Sequence, residues 1–191
     1  KKRLITLMVA GVMVFSLAAC SAQGNTGTDV SAEESSGNSA EAAELETITI
    51  TSLNGNGEEI ELEVPYKPEK VAILDMPSLD IIDSLGEGER VVGSADTSLD
   101  YLQDYVTSEE VAKLGTIKEA DMEAVMECEP EVIFIGGRLA SVYDDLSKIA
   151  PVVYLSTDIE KGVVQSVREN AETIASIFGK QEEVESLMEG F

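Results

Sequence analysis

The sequence predicts an α/β fold built on a parallel sheet with helices on both faces. Short, continuously apolar segments such as VAIL at 71–74 and VIFI at 132–135 are typical of parallel strands that are covered on both sides. Amphipathic helical segments alternate with these strands along the chain. With 191 residues and 43% hydrophobic content, the chain is long enough to bury one such core. We therefore expect a Rossmann-like sheet, preceded by a small β-hairpin.

Residues 1–19 have the pattern of a lipoprotein signal peptide. Three basic residues precede an apolar run at 4–19 that is too short for a typical membrane span. The run ends in LAAC, which predicts that Cys20 carries a lipid and anchors the mature protein to the outer face of the cell membrane. The alternative is an ordinary secretory signal with an incidental cysteine. Residues 20–46 are rich in Ser, Gly, Ala and Glu without an aromatic residue, and predict a flexible linker.

The remaining elements follow from periodicity. TITIT at 47–51 and IELEV at 60–64 alternate apolar and polar residues around NGNG, which predicts the hairpin. Further strands are predicted at 71–74, 90–95, 113–116, 132–135 and 152–155, with helices at 79–85, 99–105, 120–128, 139–149 and 163–178. Gly86 and Gly179 end two of these helices. We assign residues 47–179 to one lobe and 180–191 to the start of a further helix that the chain does not complete.

In parallel sheets of this kind, ligands bind at the carboxyl ends of the strands. Four predicted loops lie at that edge: 75–78, 94–97, 116–118 and 136–138. Gly136 and Gly137 are expected to bend the chain so that Arg138 projects from the edge toward a ligand. The alternative is that Arg138 pairs with one of the many carboxylates. Lys118 and Met76 lie at the same edge, although a surface lysine and a core methionine are equally ordinary interpretations.

The composition excludes several functions. The net charge of −24 leaves no basic stripe for nucleic acid. The chain contains no histidine, no GxxxxGK[ST] or GxGxxG phosphate loop and no GxSxG segment, which argues against an enzyme built on this lobe. Cys128 lies in a helical apolar pattern and is expected to be a small buried residue. No intrinsic cofactor is indicated.

The segments KPEKVAILDMPSLDIIDSLGEGERVVG and KLGTIKEADMEAVMECEPEVIFIGGRLASVYDDLSKIAPVVYL resemble a known family. They are similar to the amino-terminal lobe of the iron-siderophore substrate-binding lipoproteins of ABC importers, especially those that bind catecholates. This family is shared with cobalamin and haem binders, and the resemblance covers residues 47–191. It implies two Rossmann-like lobes joined by a long helix, with the ligand between them, so that the second lobe is missing here.

The resemblance also implies roles for individual residues. Arg138 in GGR occupies the place of an arginine that contacts the anionic ferric complex in catecholate binders. Some relatives carry a lysine three positions later, where this chain has Ser141. Glu123 in DMEAV matches a glutamate that docks into arginine pockets of the permease, although a solvated helix glutamate is the ordinary alternative. Tyr143 is a further ligand candidate that could equally pack its helix against the sheet.

These observations predict an exported binding lipoprotein that captures a ferric siderophore and delivers it to an ABC permease and its ATPase. The same fold with cobalamin or haem as the ligand is the first alternative. A membrane-anchored enzyme on a Rossmann-like lobe and a purely structural surface lipoprotein are alternatives from other classes.

Overall fold

The computed structural model describes residues 46–189. The predicted signal peptide, Cys20 and the predicted linker as far as residue 45 lie outside the described residues and stay predictions. The proposed domain boundaries likewise stay predictions.

The described residues form nine strands, several of them short. Their bounds are β1 Thr47–Leu53, β2 Glu59–Pro65, β3 Val71–Leu74, β4 Val91–Ser94, β5 Ala112–Lys113, β6 Gly115–Thr116, β7 Glu119–Ala120, β8 Val132–Ile135 and β9 Val152–Tyr154.

Six α-helices and four 3₁₀ turns connect these strands. The helices are α1 Met76–Ser84, α2 Gln103–Thr107, α3 Met122–Glu127, α4 Tyr143–Leu146, α5 Val163–Phe178 and α6 Val184–Met188. The 3₁₀ turns are Gly88–Arg90, Asp100–Leu102, Gly137–Val142 and Gln181–Glu183.

Five strands form one parallel sheet in the order β5-β4-β3-β8-β9. The predicted α/β fold with a parallel sheet is therefore confirmed. All four residues of β3 and all four of β8 are buried, because helices cover both faces of the sheet. Alternate residues of these strands enter two apolar clusters, with Ile73 and Phe134 on one face and Leu74 and Ile135 on the other.

The predicted hairpin is also confirmed. Strands β1 and β2 pair antiparallel over their full length. The hairpin lies beside β9, where the Ser52 hydroxyl accepts a hydrogen bond from the Tyr154 backbone N–H at 3.0 Å. At its other end, the Lys67 backbone N–H donates to the Ile177 carbonyl at 2.8 Å, which ties the hairpin to the end of α5.

Three predicted elements differ from the structure. The segments predicted as single helices at 99–105 and 139–149 each begin as a 3₁₀ turn and continue as a short α-helix. The predicted strand at 113–116 is divided: β5 ends at Lys113, and the chain then enters a separate two-residue ladder between β6 and β7. Gly115 makes this division possible, because its φ of +92° lies in the left-handed region that favours glycine.

An ion-pair network connects the elements at the amino-terminal end of the sheet. The Arg90 side chain, just before β4, pairs with Glu87 and also donates to the Pro68 carbonyl at 3.1 Å. Lys180 lies 3.5 Å from the same Glu87 and 3.7 Å from Glu183. The network thus links the entry into β3 and β4 to the junction between α5 and α6.

Candidate functional site

The strand order places a switch point between β3 and β8. From β3 the chain first builds the sheet outward through β4 and β5, and then returns to add β8 and β9 on the other side. Crevices at such points, outside the carboxyl ends of the strands, are where open α/β sheets bind ligands. Asp75 follows β3 and Gly136 follows β8, so these two residues flank the switch point.

The two glycines of GGR are required for space and not for an unusual backbone torsion. Gly136 has a φ of −103°, and Gly137 is not among the glycines with positive φ. A Cβ on Gly136 would lie 2.5 Å from the Asp75 Oδ1 atom, and a Cβ on Gly137 would lie 3.0 Å from the Tyr154 hydroxyl. The predicted sharp bend is therefore replaced by the start of a 3₁₀ turn that is closely flanked by two polar side chains.

Arg138 lies in the first turn of this 3₁₀ segment and is exposed. Within residues 46–189 its guanidinium has no carboxylate within 4.0 Å. The alternative of an ion-paired arginine therefore does not hold in the described part of the chain.

Most other cations of the described residues have a partner. Of the ten basic side chains there, six form ion pairs: Lys70, Arg90, Lys148, Lys161, Arg168 and Lys180. Lys67 lies over the Tyr66 ring, 5.0 Å from its centroid. The three that have neither a carboxylate nor an aromatic ring as partner among residues 46–189 are Lys113, Lys118 and Arg138.

These three cations share a location. Lys113 is the last residue of β5, Lys118 lies in the turn between β6 and β7, and Arg138 follows β8. All three side chains are exposed: Lys113 at the end of a parallel strand, Arg138 just beyond one, and Lys118 in the antiparallel β6–β7 ladder that follows β5. Three strand spacings separate β5 from β8, which corresponds to roughly 14 Å. The edge therefore presents positive charge on both sides of the loops after β3 and β4, in a chain that is otherwise strongly acidic.

Asp75 is an acidic residue at the same edge of the sheet. Its Oδ2 caps α1 by accepting hydrogen bonds from the Ser78 N–H at 3.1 Å and the Ser78 hydroxyl at 2.8 Å. Burial raises the pKa of Asp75, while the Ser78 hydrogen bonds and the positive charge of Arg138 act in the opposite direction. Asp75 and Arg138 therefore interact electrostatically without forming an ion pair.

The other predicted ligand residues have different surroundings. Met76 is half-buried, contacts both apolar clusters and lines a 400 Å³ groove that Leu99 and Thr157 also border. Tyr143 is 8% exposed and lies in the core, where Gly55 of the hairpin turn packs against it. This placement fits the packing role that the sequence left open for Tyr143, and its ligand role stays a prediction.

Glu123 lies apart from these residues, in the first turn of α3, and is exposed. The Asp121 carboxylate caps this helix by accepting from the Ala124 N–H at 3.1 Å. The neighbouring Met126 side chain is 59% exposed on the same short helix. The docking role of Glu123 stays a prediction.

Sequence reasoning missed three residues at the carboxyl edge: Asp75, Lys113 and Tyr154. A D-x-x-S signal for a helix cap marks Asp75 and Ser78, and a polar-tipped aromatic residue near the end of the predicted strand 152–155 marks Tyr154. Lys113 has no such signal, because its importance comes from the absence of a partner carboxylate within the described residues.

A cavity lies on the β9 side of this edge. It measures about 540 Å³ and lies between the hairpin, the segment after β9 and α5, and Tyr154 borders it. Arg138 does not line this cavity and is exposed on an open surface.

Among residues 46–189, no helix is both long and apolar enough to cross a bilayer, and no group of three or more His, Cys, Asp or Glu side chains is arranged to hold a metal ion.

A parallel sheet with an open carboxyl edge, at which Arg138 has no carboxylate partner among the described residues, is typical of ligand-binding α/β lobes. Residues 71–191 match the periplasmic binding protein family, and the chain belongs to this family. The predicted resemblance and the expectation of a binding protein instead of an enzyme are thereby confirmed.

The relatives include binding proteins from several bacteria. The chain is 33% identical over 184 residues to the petrobactin-binding protein YclQ of Bacillus subtilis, which covers 96% of this chain and 53% of YclQ. It is 28% identical over 122 residues to the ferric-anguibactin-binding protein FatB of Vibrio anguillarum, covering 62% of this chain and 37% of FatB. The chain thus spans about half, or less, of the length of these relatives.

Solved structures agree with the sequence matches. The crystal structure of YclQ superposes with a TM-score of 0.69 over 76% of this chain and 50% of that one. The periplasmic catecholate-siderophore binding protein VctP of Vibrio cholerae gives a TM-score of 0.64 at 29% identity, over 75% of this chain and 50% of that one.

Proposed function

We propose that this chain forms one lobe of an extracytoplasmic binding protein that captures a ferric siderophore for an ABC importer. The observation that carries the proposal is the unpaired Arg138 at the switch point of the sheet. A guanidinium with no carboxylate partner is available for a charge-assisted hydrogen bond to an anion, worth about 1.5–3 kcal/mol. Relatives whose names specify petrobactin and ferric anguibactin support the choice of ligand class.

The proposed site extends from Arg138 along the carboxyl edge. Lys118 and Lys113 supply positive charge on the β5 side of this edge, and Met76, the first residue of α1, supplies apolar surface after β3. We propose that this edge is one wall of a cleft whose other wall belongs to a second lobe. The overall negative charge does not oppose an anionic ligand, because screening limits the reach of distant carboxylates to about 8 Å at physiological salt.

A ligand panel tests the proposal. The full protein that contains this chain is titrated with ferric petrobactin, ferric anguibactin, haem and cobalamin while its intrinsic fluorescence is followed. We expect saturable quenching by at least one ferric siderophore at a concentration where haem and cobalamin give none. Saturation by haem or cobalamin alone would replace the siderophore assignment, and saturation by none of the four would end it.

We further propose that Glu123 contacts a basic surface of the permease. An exposed carboxylate on a rigid short helix steers toward positive charge and fixes the register of the contact. Glu123→Arg should lower iron uptake in cells without changing siderophore affinity. The matched charge reversal Glu172→Arg on the exposed side of α5 should leave uptake intact. Equal uptake in both variants would remove Glu123 from the docking surface.

The anchor is proposed from the LAAC segment. Cys20 would carry the lipid that holds the protein at the outer face of the cell membrane, where the permease is located. Cys20→Ser should move the protein from the membrane fraction to the medium or periplasm. Retention in the membrane fraction would exclude lipid attachment at this cysteine.

A further inference from the structure

The Asp75 carboxylate has one occupied and one open oxygen. Oδ2 accepts both hydrogen bonds from Ser78, whereas Oδ1 faces Gly136 and has no hydrogen-bond donor within residues 46–189. Because the two oxygens of a carboxylate share one rigid plane, the cap that holds Oδ2 also fixes the position of Oδ1. Here Oδ1 lies at the switch point, beside the turn that carries Arg138.

The Tyr154 hydroxyl is placed in the same way on the other side of this turn. A Cβ atom added to Gly137 would lie 3.0 Å from the Tyr154 hydroxyl oxygen. This hydroxyl forms no hydrogen bond with the described residues. The Tyr154 ring itself belongs to the apolar cluster beneath the sheet edge and is 8% exposed. The core therefore fixes the ring and leaves the hydroxyl next to the turn.

Both unpaired atoms are accessible. Every fully buried side-chain nitrogen or oxygen in the described part of the chain has a hydrogen-bond partner. Asp75 Oδ1 and the Tyr154 hydroxyl have no such partner, so neither is fully buried. A polar atom on a side chain that the core or a helix cap already holds in place is a favourable ligand contact, because little side-chain freedom is lost on binding.

We propose that Asp75 Oδ1 and the Tyr154 hydroxyl are two further ligand contacts that determine specificity around Arg138. The inference rests on the proposed function and deepens it. Arg138 binds an anionic group of the ligand, the Tyr154 hydroxyl donates to an adjacent oxygen, and Asp75 Oδ1 accepts from a ligand N–H or O–H. The preferred ligand therefore carries a hydrogen-bond donor beside its negative charge, such as an amide N–H or a hydroxyl group.

The requirement for a donor comes from the cost of mismatch. A ligand that presents only acceptors would place an oxygen against Asp75 Oδ1 and leave that oxygen without a partner as water is excluded. Leaving a buried acceptor unsatisfied costs more than a hydrogen bond gains, so the carboxylate selects against such ligands. Arg138 alone would not make this distinction.

Two conservative variants test the inference in the full protein. Asp75→Asn keeps an oxygen to cap α1 but turns an NH₂ donor toward Gly136, and Tyr154→Phe removes only the hydroxyl. The matched controls are Asp121→Asn, which changes the cap of α3, and Tyr66→Phe, whose hydroxyl lies beside Gly179 at the other end of the sheet. Affinity is measured by fluorescence titration with ferric petrobactin, or with whichever ferric complex of the panel the wild-type protein binds most tightly.

We expect each test variant to bind about five- to tenfold more weakly and each control to stay within about twofold of wild type. Thermal melting of the ligand-free protein checks that the variants fold. If Asp75→Asn does not fold, the affinity of Tyr154→Phe alone tests the inference. Wild-type affinity in both test variants would overturn the inference while leaving the proposed function standing. Failure of the wild-type protein to bind any ferric complex would overturn both.

Discussion

Arg90 and Arg138 lie at opposite ends of the same parallel sheet and have opposite surroundings. Arg90 precedes β4 and is held by Glu87 and the Pro68 carbonyl, whereas Arg138 follows β8 and has no carboxylate partner in the described residues. The Glu87 side chain is only 11% exposed and also faces Lys180. The amino end of the sheet thus uses its charges to join elements, while the carboxyl end leaves them available.

Under the proposed function, this difference separates charges that stabilise the fold from charges that are available to a ligand. A partly buried ion pair is costly to break, because the remaining charge loses its compensation. An exposed cation without a partner contributes little to stability and is free to bind an anion. Variants at the amino end should therefore change the free energy of unfolding, and variants at the carboxyl end should change affinity.

The largest expected effect on stability is at the glycine that touches Asp75. Gly136→Ala places a Cβ 2.5 Å from Asp75 Oδ1, so either the turn or the α1 cap must move. We expect a loss of about 1–3 kcal/mol in the free energy of unfolding, measured by urea denaturation, together with weaker ligand binding. Gly137→Ala should cost less, because its Cβ meets only the end of the Tyr154 side chain at 3.0 Å. Equal, negligible losses would show that the turn is not constrained by these contacts.

The next largest effect on stability is expected at Arg90, at the amino end of the sheet. Arg90→Met leaves Glu87 with Lys180 alone and removes the hydrogen bond to the Pro68 carbonyl. We expect the free energy of unfolding to fall by about 1–2 kcal/mol. Arg168, whose partner Glu185 is 81% exposed, provides the control, and Arg168→Met should cost less than about 1 kcal/mol. A larger loss for Arg168→Met would contradict the role assigned to the Glu87 network.

Smaller effects are expected for the two lysines on the far side of the carboxyl edge. Lys113→Gln and Lys118→Gln should each weaken ferric siderophore binding by about two- to fivefold at low salt, because one exposed charge acts at a distance through solvent. The measurement is a titration at two ionic strengths, and the difference from wild type should shrink at the higher one. Lys148→Gln, which removes an exposed lysine already paired with Asp145, is the control. An equal loss in this control would exclude a local role for Lys113 and Lys118.

Asp75 predicts a change of the free energy of unfolding with pH at the carboxyl end of the sheet. Its pKa is raised above the ordinary value of 3.8, mainly by burial. An acid that is protonated more readily in the folded state makes the free energy of unfolding fall as pH rises from the unfolded pKa to the folded one. The stability of wild type relative to Asp75→Asn should therefore decrease with rising pH across that window, as followed by urea denaturation. A constant or increasing difference would contradict the burial of this carboxylate.

Much of the sheet is predictable from the sequence for a simple reason. VAIL and VIFI are continuously apolar because β3 and β8 are covered on both faces, and no alternative element explains such short runs between helices. The division of 113–116 into two ladders was not predictable, since it depends on a single left-handed torsion at Gly115. The 3₁₀ turns that precede α2 and α4 were likewise not predictable, because they depend on tertiary packing and not on the spacing of apolar residues along the sequence.

The site was predictable in location but not in composition. The strand-end position of Arg138 follows from the βα alternation, whereas its lack of a partner depends on where all the surrounding carboxylates lie in space. The purpose of Gly136 and Gly137 was also hidden, because the side chains that require them, Asp75 and Tyr154, come from other strands. Sequence patterns mark the residues that form a turn and not the groups that crowd it.

We propose that Arg138, which has no carboxylate partner within residues 46–189, binds the ligand, whereas the paired Arg90 stabilises the fold. The direct measurement is the affinity of Arg138→Met and of Arg90→Met for the same ferric siderophore, determined side by side in the full protein. The account predicts that Arg138→Met binds at least about tenfold more weakly while Arg90→Met stays within about twofold of wild type. Equal affinities of the two variants would contradict it.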